Sequence, residues 1–149
     1  MRSFVFLSLM GIALLAVPTG SGAQQAESGA DQQRLTIELN KVQQGPDGCR
    51  LSFIAVNKMG ANLESTAMEV VFFDSNEVIT EMLLLDFGRL PSDKTKVVEF
   101  VLQQQQCGQI SRVLVNDVVE CSSAEEQNMT RDCFNALQTS NRAEIDFGV

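Results

Sequence analysis

From residue 34 onward the chain alternates apolar and polar side chains in short runs, and each run ends in a turn. The first run, "RLTIELNKV", sets Leu35, Ile37 and Leu39 on one side and Thr36, Glu38 and Asn40 on the other. A period of two marks a half-buried strand, because successive side chains leave opposite faces of the pleat. "QQGPDG" then breaks the chain with Gly, Pro and Asp. "CRLSFIAVN" repeats the pattern with Cys49, Leu51, Phe53 and Ala55. After "KMGAN" come "ESTAMEVVFFD", the tight turn "DSNE", and "VITEMLLLDF". "GRLPSD" interrupts again, and "KTKVVEFVL" carries Val98, Phe100 and Leu102 on one side. "GQISRVLVND" and "VVEC" complete the apolar segments. No helical pattern separates these strands, which argues against a parallel βαβ sheet and for an all-β sandwich or barrel. In a simple up-and-down order the strands fall at 34–42, 48–57, 65–73, 78–87, 95–102 and 109–115.

The tail reads differently. "TRDCFNALQTS" predicts a short C-terminal helix with Thr130 as N-cap and Cys133, Phe134 and Leu137 on one face. "RAEIDFGV" alternates Ala143, Ile145 and Phe147 and reads as a last strand. A second helix start exists at Ser123, since Ser123 and Glu126 fit a capping box.

The start of the chain bears on compartment. Arg2 precedes an apolar run from Phe4 to Val17, and Ser21 and Ala23 follow with the spacing of a small-residue cleavage site. The run is shorter than the roughly 20 apolar residues of a spanning helix. A cleaved signal peptide over 1–23 is therefore expected, with a polar, flexible leader over 24–33 and a single domain over 34–149. No cysteine stands at the cut and no twin arginine precedes it. The expected location is the periplasm, with no membrane span after cleavage.

Four cysteines in an exported chain imply two disulfides. They form no C-x-x-C motif and lack the close ligand pairs of a zinc site. With strands alternating up and down, Cys49 at the start of the second strand and Cys107 before the sixth lie at the same end of the sandwich. Cys121 and Cys133 then close a local loop. A helix running unbroken from Ser123 would hold those two roughly 18 Å apart, so that pairing requires the helix to start near Thr130. The other pairing considered joins Cys107 to Cys121 and Cys49 to Cys133.

Three stretches carry a resemblance: "FIAVNKMGANLES", "MEVVFFDSNEVI" and "LPSDKTKVVEFVL". They resemble the FxLYD-type immunoglobulin-like domains of bacterial envelope proteins over about residues 34–116. Asn57, Phe72-Phe73-Asp74 and Leu90-Pro91 stand at the matching places, with Phe73 for the family's Tyr and Ser92 for its Gly. The whole chain is also similar to small secreted proteins of alphaproteobacteria. The resemblance implies an immunoglobulin-like antiparallel β-sandwich and carries over no catalytic residue.

Composition narrows the chemistry. The chain has no His, Trp or Tyr, so histidine-based triads, dyads and metal sites are excluded. With 11 Lys+Arg against 19 Asp+Glu, its charge of −8 repels phosphate backbones and argues against nucleic-acid binding. Asp74-Ser75-Asn76-Glu77 offers oxygen ligands, but lacks the Gly and distal Glu of a calcium loop and reads as a hairpin turn. Glu120, Glu125, Glu126 and Asp132 gather near the last two cysteines and read as a solvated loop. "LDFG" and "IDFG" lack the companion motifs of a kinase. No catalytic, metal or cofactor site is expected. The functional expectation is an exported, non-catalytic envelope protein that binds another envelope protein or assists an assembly. The alternative is a small carboxylate-dependent hydrolase. Buried, paired carboxylates in a cleft would favour the enzyme; a shallow surface with an exposed apolar strip would favour the binder.

Overall fold

The computed structural model describes residues 33–149; the expected signal segment and all but the last residue of the leader lie outside the described residues. The elements are β1 (Arg34–Gln44), β2 (Gly48–Lys58), β3 (Leu63–Phe73), β4 (Ile79–Asp86), β5 (Thr95–Gln103), β6 (Arg112–Ser123), α1 (Thr130–Asn135), β7 (Leu137–Asn141) and β8 (Asp146–Gly148). A single 3-10 turn, Cys107–Gln109, precedes β6. The strands make two four-stranded sheets, ordered β5-β2-β1-β7 and β4-β3-β6-β8. The result is an all-β sandwich with one short helix near its C-terminal end. The first six strands divide between the sheets as in an immunoglobulin-like sandwich.

One expectation about the sheets is corrected. They are not wholly antiparallel: β7 pairs parallel with β1, and β8 parallel with β6. The stretch "LQTSN", expected in the helix, is β7. The helix stops at Asn135 and the chain enters at the open side of β1, where Leu35 N–H donates to Ala136 O at 2.9 Å. β1 already has β2 on its other side, so its free edge stabilises five residues of modest strand propensity. The last strand is likewise shorter than expected, covering only Asp146–Gly148.

The apolar positions read from the alternation fill the space between the sheets. Leu35, Ile37 and Leu39 of β1 are wholly buried, as are Leu51, Phe53 and Ala55 of β2. Met68, Val70 and Phe72 of β3 face them from the other sheet. Phe53 meets Phe87, Phe100 and Phe147 edge-on, at centroid distances of 5.7, 5.9 and 5.5 Å. Both Asp-Phe-Gly triplets thus place their ring in or against the core, which is a structural use.

β6 unites two segments that look separate in sequence. Its pairing with β3 shifts register between Ala67 and Met68 and again between Glu69 and Val70. The bulges leave Val119 and Asn116 without direct partners and keep Val113, Val115, Val118 and Cys121 on the core side. A bulge adds one residue to the strand and breaks the period of two.

Both disulfides pair as the up-and-down order predicts: Cys49 with Cys107, at a Cα separation of 4.9 Å, and Cys121 with Cys133, at 6.5 Å. Gly48, just before the first, has φ 147°, and a Cβ there would collide with the Leu102 carbonyl; only glycine lets β5 approach so closely. The helix begins at Thr130, as the second disulfide requires. Thr130 is its first residue, however, and not its cap. The Asn128 carboxamide oxygen accepts from Thr130 Oγ1 at 2.9 Å and from its N–H at 3.3 Å. Phe134, expected on the buried face, is 40% exposed. Ser123 starts no helix: its Oγ accepts the Glu126 N–H at 3.1 Å in a local turn.

Candidate functional site

The outer face of the second sheet is the most unusual surface of the molecule. β4 forms its edge, with β3 and β6 beside it. Pairing sets four rows across these strands: Ile79–Phe73–Arg112, Met82–Val71–Leu114, Leu84–Glu69–Asp117 and Asp86–Ala67–Glu120. Val71 and Ala67 form a floor, at 2% and 1% exposure. Above it Ile79, Met82 and Leu84 stand 56%, 50% and 62% exposed. Val78, in the preceding turn, is exposed as well. Large apolar side chains seldom gather on a solvent face unless something covers them.

The rim of this face is acidic. Glu69, Asp117, Asp86 and Glu120 occupy its lower rows. Arg112 is the one cation in the four rows. It lies 5.3 Å from the centre of the Phe73 ring and 3.5 Å from Glu77. Its guanidinium is thus already engaged by a π face and a carboxylate.

The other sheet contrasts with this. Val97 and Val101 of β5 are exposed, but Glu99 between them accepts from Ser52 Oγ at 2.8 Å and lies 3.8 Å from Arg50. Lys96 closes over the β4–β5 connection, donating to the carbonyls of Phe87 at 2.7 Å and Arg89 at 3.0 Å. Polar pairs therefore interrupt the apolar residues there.

The tempting loop Asp74–Glu77 is a turn organised by Asp74. Its Oδ1 accepts the N–H groups of Asn76 at 2.8 Å and Val78 at 3.0 Å. Its main-chain N–H donates to Val78 O, and its carbonyl accepts from Glu77 N–H. The backbone donors of Val78 and then Asn76 hold the Asp74 carboxyl below its ordinary pKa. Glu77 takes φ 61° to close the turn and points to Arg112. The stretch is the hairpin turn its sequence predicts, and its carboxylate oxygens serve the backbone and an ion pair.

The other acidic cluster does not assemble. Glu120 lies on the outer face of β6, Glu126 in the following turn and Asp132 in α1. Among the described residues no three His, Cys, Asp or Glu side chains are grouped to hold a metal. A cleft of about 660 Å³ runs beside β1, lined by Lys41, Val42, Cys107, Arg142, Glu144 and Ile145 among others. Its lining holds one carboxylate, Glu144, so it offers no carboxylate pair. Nearby, Arg142 Nε donates to Glu38 Oε1 at 3.1 Å, tying the β7–β8 connection to β1.

The apolar strip was missed in the sequence, although a signal stands there. "MLLL" at 82–85 is four apolar residues in succession inside a strand. With alternating orientation, Leu83 and Leu85 turn inward and Met82 and Leu84 must turn out. Comparison with protein-family models, curated proteins and solved structures finds no match. Among the described residues no helix is long and apolar enough to cross a membrane.

Proposed function

We propose that this chain is an exported, non-catalytic envelope protein that binds another protein through the outer face of the second sheet. The exposed row of Ile79, Met82 and Leu84 on edge strand β4 carries the reading. Two disulfides fit an oxidising compartment such as the periplasm. Three carboxylates are unsuited to the general-acid role that the hydrolase alternative needs. Glu38, Asp74 and Asp93 are all held low, chiefly by hydrogen bonds from Asn40, the Val78 backbone and Lys58 respectively. A carboxyl general acid requires the opposite displacement.

The test is affinity capture from envelope extract with the mature protein and its Met82→Lys/Leu84→Lys variant. Both side chains are half exposed or more, so the variant is expected to fold. The expected result is a discrete partner held by the wild type and lost with the variant. Equal capture by both proteins would remove this face from the function.

A further inference from the structure

We propose that β4 accepts an additional β-strand from a partner whose extended segment carries an apolar run flanked by basic residues. This rests on the binding reading and names the partner's chemistry. Among the described residues β4 has a neighbour on one side only, so its other side presents a row of amide N–H and carbonyl groups with no described strand to meet. Strand addition satisfies such a row through main-chain hydrogen bonds, and side-chain pockets at alternate positions supply selectivity.

Both sides of β4 specify the incoming strand. On the outer side Met82 and Leu84 offer apolar contact. On the core side Leu83 and Leu85 turn in, but Glu81 is paired with Phe72 and is nevertheless exposed. A carboxylate on the inward side of an edge strand is a device against unwanted pairing. Glu81 and Asp86 are the two charges on β4, and both are acidic.

These charges argue against a second copy as the occupant. Opposed residues of an antiparallel pair share a face. Two β4 strands related by a two-fold axis would set Glu81 against Leu83, against Leu85 or against the other Glu81. The first two desolvate a carboxylate on an apolar side chain, and the third opposes like charges. The chain's charge of −8 adds a general repulsion. A strand with a lysine or arginine opposite Glu81, and apolar residues beside Met82 and Leu84, meets neither obstacle. It gains main-chain bonds, cross-strand apolar contact and an ion pair at one edge.

The experiment uses the mature protein and a fluorescent peptide as long as β4 that carries a valine run flanked by lysines, followed by polarisation. Controls are a shuffled peptide of the same composition, one with glutamate in place of lysine, and one N-methylated at alternate amides. Saturable binding of the first peptide alone is expected. Glu81→Lys and Leu84→Lys should each weaken it about tenfold. Equal binding of the shuffled or N-methylated peptide would overturn strand addition and leave only charge attraction. Binding of the glutamate peptide, or a wild-type dimer in sedimentation that Leu84→Lys separates, would overturn the basic partner. If no peptide binds while Met82→Lys/Leu84→Lys still abolishes partner capture, strand addition falls and the binding face stands. If capture is also unaffected, both fall.

Discussion

Replacing Asn57 by alanine should destabilise the sandwich more than any surface change discussed above. Asn57 is the penultimate residue of β2 and is 1% exposed. Its Nδ2 donates to the carbonyls of Ala61 and Leu90, each at 2.8 Å, and its Oδ1 accepts the Met59 N–H at 2.9 Å. One side chain thus joins the β2–β3 connection to the segment that follows β4. Each net bond contributes about 1 kcal/mol, and an orphaned buried donor costs about 1–3 kcal/mol more. Leu90 O retains a bond from Leu63 N–H at 3.0 Å, so the Met59 N–H is the principal orphan. The loss should total about 4–6 kcal/mol, a large share of the roughly 5–15 kcal/mol that holds a domain folded. At about 4 °C per kcal/mol, Tm should fall by about 16–24 °C. Asn57→Asp should be at least as damaging at neutral pH. A carboxylate cannot donate and would face two carbonyl oxygens. Urea titration of the oxidised mature protein measures all three forms, with Asn62→Ala as a control. Asn62 is exposed and accepts one bond, from Ser92 N–H at 3.0 Å, so its loss should cost less than about 1 kcal/mol. If Asn57→Ala costs no more than Asn62→Ala, the corner is not held as described.

Further outcomes are expected. Alkylation without reduction should label no cysteine, and peptide mapping should link Cys49 to Cys107 and Cys121 to Cys133; a crossed pairing would refute the strand directions. Opening the first link by Cys49→Ala with Cys107→Ala should cost about 4 kcal/mol in urea, because it frees a loop of 58 residues in the unfolded chain. Asp74→Asn should destabilise at neutral pH. The folded Asp74 pKa is depressed, so the wild type's advantage is present above the ordinary aspartate pKa of about 3.9. It should vanish as pH falls through the lower folded value. Calcium should leave Tm unchanged, since a ligand specific to the folded state would raise it. Mass spectrometry of exported protein should find Gln24 at its start; retention of residues 1–23 would indicate an anchor.

The alternation of apolar residues by itself placed the first five strands and the first part of the sixth, with the inward side chains of β1, β2 and β5. The turn residues placed the breaks, and Asp74 and Asn57 do at their turns what short polar side chains do, bonding to nearby backbone. The two cysteine pairs were also legible, since strand direction alone brings Cys49 and Cys107 to one end. These features depend on interactions close in sequence or on a count of reversals. Three others depend on neighbours that no local pattern names. "LQTSN" becomes β7 because β1 has a free side and the helix ends beside it. β6 spans twelve residues because its bulges let Val118 and Cys121 reach the core that Val113 and Val115 already face. β4 stands at an edge because, among the described residues, only β3 pairs with it. Pleat orientation is fixed residue by residue along the chain, so sequence can carry it. Which strand stands at an edge is fixed by pairing between distant segments, so only the tertiary structure decides that the strand carrying Met82, Leu84 and Glu81 is an edge strand.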